Sequence, residues 1–446
     1  MNLRFAIQRL VALAEGPIAR SSVIGVAIRI GGMSLIFAQA VIAARMLGPA
    51  GYGTVNILLA VIQLAACLAL FGFGSLAVAE LPRAAAGDRS IVALAFVRHA
   101  SGRMFVACFF ALPVTYIVSR ALVGDIPTEL AASVLITVPI LAAIQLVRGV
   151  SIGLGKPTWA QLPGEILRPA LLVLVLLGLM VVSNIDAPLF MALYAFTAGL
   201  ALVVAVLSIG LLLRRRAATR SISAVDGSGW NRAAWPFLGL HVAAILQVEL
   251  STLVLGIVAT PADVGLFHPI ARVSMLLLVP FYALNLGFNP RVAEYHAEGR
   301  IAEIADLSRK YTLAATVAVL VPGIAIGLAS PWLLRLFGSE FAVVAPLVWF
   351  LVAGRVAQAG FGPAAELLMM TGNTTISLKY LALALTFEAL LAAVLVSMIG
   401  IAGAAIAIAI ALAFRAALFA RATRQVLGIG LAEFWRYRLP REQDSS

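Results

Sequence analysis

The chain is short of charge. Asp, Glu, Lys and Arg together make up 12% of its 446 residues, roughly half the share of a soluble domain, so it cannot cover a water-facing surface in the usual way. Cysteine is scarcer still. Cys67 and Cys108 are the only two, and both fall inside apolar runs, which leaves neither a disulfide framework nor a metal-ligand spacing. There is no His-Glu-x-x-His, no Gly-rich phosphate loop of the Walker type and no nucleophile elbow, so no motif for hydrolysis, nucleotide or cofactor chemistry is present. An ATP-driven pump would need a separate subunit. A membrane glycosyltransferase or ligase would normally bring acidic motifs or a sizeable outer loop, and every loop expected outside is short. The sequence therefore reads as a non-enzyme without a cofactor.

What the chain has in quantity is apolar sequence. Hydrophobic residues reach 62%, and mean hydropathy is +1.04. Runs of about twenty residues, the length a bilayer core demands of a helix, recur from end to end. Between charge and turn signals they predict spans at 22–44, 54–78, 104–123, 130–154, 163–183 and 189–213, then 236–258, 264–288, 311–332, 341–364, 376–398 and 400–421. The expected fold is an all-α polytopic membrane protein of about twelve transmembrane helices. Residues 214–235, with Ser223, Asp226, Gly227, Ser228 and Gly229, read as a linker between a six-helix lobe at 22–213 and another at 236–424. Residues 1–21 read as an amphipathic surface segment, with Leu3, Ile7, Leu10 and Val11 at helical spacing against Arg4, Gln8 and Glu15. A tail occupies 425–446, and no cleavable signal peptide is evident.

A net charge of +12 would suggest nucleic acid in a soluble protein. Here the basic residues gather in alternate loops, among them Arg83, Arg89 and Arg98, Arg214 to Arg232, Arg291 to Lys310, and Arg421 to Arg441. The intervening loops offer only Arg45, Arg120 and Arg335. The positive-inside rule puts the rich loops, and with an even helix count both termini, in the cytoplasm. The partners this implies are membrane lipids, not nucleic acid.

The halves echo one another. Pro49-Ala50-Gly51-Tyr52-Gly53 joins helices one and two, and Pro261-Ala262-Asp263-Val264-Gly265 joins seven and eight. Helix two leaves through Leu81-Pro82-Arg83 and helix eight through Asn289-Pro290-Arg291. Matches in the same topological slots favour a parallel repeat, with a pseudo-twofold along the membrane normal and a cavity between the lobes.

Ala44-Arg45-Met46-Leu47-Gly48-Pro49-Ala50-Gly51-Tyr52-Gly53 resembles the Ala-Arg-x-Leu-Gly-Pro-x-x-Tyr-Gly signature of the polysaccharide-transport (oligosaccharide flippase) branch of the multidrug/oligosaccharidyl-lipid/polysaccharide flippase superfamily. Phe71-Gly72-Phe73-Gly74, Val264-Gly265-Leu266-Phe267, Leu336-Phe337-Gly338 and Leu368-Met369-Met370-Thr371-Gly372 extend the likeness over nearly the whole chain. The resemblance implies a MATE-like architecture. It further implies alternating-access transfer of undecaprenyl-pyrophosphate-linked oligosaccharide across the bacterial inner membrane, for surface polysaccharide biosynthesis. Polymerase or synthase proteins would be further partners. The rivals are a cation-coupled multidrug antiporter of the same superfamily and a non-translocating member of a synthase complex.

Charge at membrane depth is costly and usually faces a cavity or a partner. Arg29 lies about two turns inside helix one, beside Gly31 and Gly32, and either faces the cavity or snorkels to the cytoplasmic headgroups. Arg272 sits about a third of the way along helix eight, and the resemblance implies a lumen position for arginines on helices one and eight. A guanidinium fork matches a diphosphate bidentately, as Lys cannot, and the chain has only three lysines. Arg355, near the middle of helix ten, faces the lumen or pairs with Glu366 or Glu249. Glu249, midway along helix seven, either carries a coupling ion or is the counter-ion of Arg272 or Arg355. His241 occupies the repeat position of Arg29 and either touches phosphate or packs as a hydrogen-bonded histidine. Arg103, Arg148 and Arg168 read as snorkelling residues.

Overall fold

A computed structural model describes residues 17–84, 89–180, 185–214, 227, 229–430, 434 and 435. The expected N-terminal surface helix, most of the linker and most of the tail lie outside the described residues. Among the described residues the fold is all helix, without a strand. Eleven helical segments are long and apolar enough to cross a membrane. The first, Ala27–Leu70, is 44 residues long and contains two helices, broken at Gly48, whose φ of 63° and ψ of 177° leave the helical region. It therefore supplies spans one and two. The others, three to twelve, are Arg89–Val123, Thr128–Gly153, Pro157–Leu179, Ala187–Gly210, Trp230–Val258, Pro261–Ala297, Ile301–Arg335, Ser339–Gly360, Thr374–Ile399 and Ile401–Leu427. This is the all-α, twelve-span architecture that the apolar runs predict.

By contact the chain divides into two compact units, Met1–His268 and Pro269–Ser446. In the first unit, span two is the buried axis, with Ile57, Leu58, Ile62, Ala66 and Leu70 all but inaccessible. Its neighbours come close because they present small residues. A Cβ at Gly149 would stand 2.0 Å from the Gly74 carbonyl oxygen, and one at Gly153 2.5 Å from that of Ala77. Span seven also packs here, with Gly256 set against Ile57. The twin Pro-Ala turns pack back to back: a Cβ at Gly53 would meet the Pro261 oxygen at 1.6 Å, and one at Gly265 would meet the Pro49 oxygen at 1.9 Å. Equivalent residues of the repeat thus exchange the same contact, as a local twofold requires. The buried Tyr52 hydroxyl and His268 Nδ1, 3.3 Å apart, join the turns further.

In the second unit, span ten lies on span twelve through Gly354, where a Cβ would be 2.7 Å from Ala409 Cα. The Thr423 hydroxyl donates to the Ala364 carbonyl at 3.1 Å further along. Spans eleven and twelve turn on Gly400, at φ 61°. Large apolar side chains stay exposed on the outer surfaces of both units, among them Phe105, Phe109, Phe110, Leu328, Trp332 and Met398. That is the belt a multi-pass membrane protein offers to lipid.

Candidate functional site

Each unit carries its own set of polar groups at membrane depth. In the first, the stretch Leu162–Leu167 is a π-helical turn opened by Pro163 next to its start, a wide turn that often marks a functional position. It lets span one approach very closely, since a Cβ at Gly32 would stand 2.7 Å from the Glu165 carbonyl oxygen. The Glu165 carboxylate meets Arg148 at 2.9 Å. Arg148, expected to snorkel, is thus tied to a carboxylate, and it is the charged neighbour of half-buried His241. Arg29, one turn before Gly32, is exposed. Arg168 lies midway along span five, which begins at Pro157, earlier than the apolar run suggests. It donates to the Tyr194 hydroxyl and sits over that ring, 4.9 Å from its centroid.

Glu249 is 4% exposed and accepts from Gln63 Nε2 at 2.9 Å. A buried carboxylate on span seven is thereby linked to an amide on span two. Gln63 carried no signal in the sequence beyond a polar residue in an apolar run.

In the second unit, Arg272 is half-buried and its Nη1 lies 3.6 Å from Met275 Sδ. No carboxylate of its unit lies within ion-pair distance among the described residues. Arg355 donates from Nη1 to Gln358 Oε1 at 3.0 Å, while its Nε is buried without a hydrogen-bond partner. The pairing with Glu366 left open by the sequence is not made. Glu366 instead accepts from Asn285 Nδ2 at 3.3 Å, and Asn285 Oδ1 accepts from the Tyr311 hydroxyl at 2.7 Å. Two further charges, Glu388 on span eleven and Arg415 on span twelve, join this group. The depth rule that singles out Arg355 in the sequence applies equally to both. No group of three or more His, Cys, Asp or Glu side chains that could hold a metal ion occurs among the described residues.

The chain matches the model of the polysaccharide biosynthesis protein family over residues 18–286, and no curated protein matches it. Its fold is similar to solved structures of the MOP superfamily. One is a multidrug resistance MATE family transporter in an inward-facing conformation, with TM-score 0.70, 16% identity, and coverage of 91% of this chain and 98% of the other. The outward-facing conformation of a MATE family transporter matches with TM-score 0.64, 18% identity and coverage of 94% and 98%. A MOP superfamily transporter from Pyrococcus furiosus, described as having a binding pocket of reverse polarity that suggests a different function, matches with TM-score 0.60, 17% identity and coverage of 95% and 98%. With its match spanning more than half the sequence and its helices laid out as in MATE structures, this chain belongs to the polysaccharide biosynthesis protein family and has the MOP transporter fold.

Proposed function

We propose that the protein is a flippase that moves a lipid-linked oligosaccharide across the bacterial inner membrane, both termini cytoplasmic, by alternating access. The observation that carries this reading is the family match over residues 18–286 on a MATE-like fold. Arg29, Arg272 and Arg355, with His241, are the candidate groups for the lipid diphosphate-sugar. Bidentate guanidinium pairing is the strongest recognition available for such an anion. The prenyl tail stays in lipid while the sugars pass through the polar interior. Glu249 is the candidate carrier of a coupling ion. The Pyrococcus furiosus transporter shows that pocket polarity can vary on this fold. A pocket built for drug cations would favour acids without cationic neighbours, whereas Glu165 pairs with Arg148, and Glu366 and Glu388 both act on Arg415.

The test is the pool of lipid-linked glycan in cells lacking the protein. A complete undecaprenyl-linked oligosaccharide should accumulate on the cytoplasmic face, and wild type should clear it while Arg272→Ala does not. An unchanged pool together with retention of cationic dyes would replace the flippase with a multidrug antiporter. Clearance in cells but none by the purified protein in vesicles would make it a synthase partner that does not itself translocate.

A further inference from the structure

Spans eleven and twelve, Thr374–Ile399 and Ile401–Leu427, are 26 and 27 residues long. That is ~40 Å at ~1.5 Å per residue, against ~30 Å for the apolar core of a bilayer, so each end overhangs the core by ~5 Å. At the end that meets the tail, Lys379 stands in the second turn of span eleven, and Arg421 and Arg424 stand in the last two turns of span twelve. All three are exposed. This depth brings their charges to the level of headgroup phosphates, within snorkelling reach. The Tyr380 hydroxyl donates to Gln425 Oε1 at 3.3 Å, which fixes the register of the two spans. Lys379 is thereby held beside the face of span twelve that Arg421, Arg424 and Gln425 form at i, i+3 and i+4. The other faces turn inward, with Thr423 and Ser377 buried.

The protein itself does not answer these charges. Elsewhere on the same end of this unit, Arg300 pairs with Glu298 and Glu303, and Arg309 and Lys310 share Asp306. Lys379, Arg421 and Arg424 have no carboxylate within ion-pair distance among the described residues. Beside them lies an apolar element. Span twelve closes at Gly428, with φ 71°, Ile429 is buried, and Gly430 lies on the stem of Arg424, where a Cβ would be 3.1 Å away. One turn on, Phe434 donates its N–H to the Gly430 carbonyl and buries its ring against Gly362. Trp435 donates its indole N–H to the Gly360 carbonyl at 2.8 Å, which leaves the ring 46% exposed. An indole tethered by its nitrogen, next to unanswered cations at headgroup depth, suits an amphiphile with an anionic head better than a dissolved anion.

We propose that the second unit holds an anionic phospholipid at this end, its phosphate among Lys379, Arg421 and Arg424 and its glycerol and upper acyl chain against Trp435. The lipid is a resident of the bilayer and not the transported molecule. Its site shares no residue with the candidate groups for the glycolipid, and it stands whether or not the protein is a flippase. In the proposed orientation this end meets the cytoplasmic leaflet.

The full-length protein, purified in detergent, would be titrated with phosphatidylglycerol, with phosphatidylcholine of the same acyl chains and with inorganic phosphate, following its melting temperature. Phosphatidylglycerol should raise the melting temperature to a plateau, and the other two should not. Lys379→Gln, Arg421→Gln and Arg424→Gln should each shift the midpoint of that titration about fivefold upward, and Trp435→Ala should shift it in the same direction. Because the three charged side chains are exposed, their Gln variants should melt like wild type without lipid, which separates lost binding from lost folding. Lys310→Gln removes an equal charge from the same end and should leave the midpoint where it was. An equal shift in Lys310→Gln would mean that the lipid reads only the general positive charge of this end, and would overturn the site. An unshifted midpoint in the Arg421→Gln/Arg424→Gln double variant would overturn it too, as would equal stabilisation by phosphatidylcholine or by inorganic phosphate.

Discussion

Glu249 shows how little a deep charge says until its partner is known. Its carboxylate oxygen accepts from Gln63 at 2.9 Å, a contact that Glu249→Gln preserves in shape while removing the charge. Glu249→Gln should therefore fold like wild type, within about 1 kcal/mol, whereas Glu249→Leu leaves the half-buried Gln63 amide without this acceptor and should cost about 1–3 kcal/mol. If Glu249 carries the coupling ion, the Gln variant will be stable yet lose gradient-driven glycan export in vesicles; normal export would make it a packing acid. Arg148 and Glu165 pose a milder case. Their side chains are 43% and 21% exposed, so screening holds the coupling energy of a double-mutant cycle to about 1 kcal/mol or less. The sequence could not pair them, because seventeen residues and a turn separate them, and only the π-helical turn at Leu162–Leu167 aims Glu165 across. Nor could it bring Arg415 into the surroundings of Arg355, sixty residues away. What depth in an apolar run does disclose is that such residues must be answered by something.

At the scale of elements the twin turns are the most informative feature. The repeat itself was legible, because Pro and Gly punctuate a helix start in ways that sequence preserves. That the two copies touch was not legible, since spacing along a chain does not report which turns meet. The reciprocal contact makes a definite prediction. Gly53→Ala and Gly265→Ala each drive a methyl into a backbone carbonyl, and neither carbonyl can rotate away as a side chain could. Each should destabilise by about 2–4 kcal/mol, the upper range for a single change. The double variant should cost less than the sum, because the first methyl already parts the turns that the second would push apart. Full additivity, read from thermal melts of the purified variants, would mean that the two turns do not share one interface. Gly48 offers a contrast. No heavy atom lies within 4 Å of a Cβ there, but φ is +63° with ψ 177°, a region essentially confined to glycine, so Gly48→Ala carries only a conformational penalty, of about 1–3 kcal/mol, and Gly48→Asn no less.

For the whole molecule the deciding question is how many times the chain crosses the membrane, because parity sets where the termini lie. Taken as one helix, Ala27–Leu70 would run 44 residues, or ~66 Å at ~1.5 Å per residue, about twice the ~30 Å of a bilayer core. The break at Gly48 divides it into two arms of nearly crossing length, and the total becomes even. In the proposed orientation, arginine bias would put the Arg291 to Lys310 side, after span eight, in the cytoplasm and the sparse loop after span three, where Arg120 pairs with Asp125, outside. Three single cysteines in a background lacking Cys67 and Cys108 test this together. Ala50→Cys and Thr128→Cys, both at exposed positions, should react with a membrane-impermeant maleimide added outside spheroplasts. Ala297→Cys, also exposed, should react only after the membrane is opened. Protection of Ala50→Cys with labelling of Thr128→Cys would mean that the Gly48 turn is sunk below the outer surface; the reverse pattern for Thr128→Cys and Ala297→Cys would invert the protein. Inversion would contradict the proposed direction of transport, so this measurement bears on direction as much as on topology.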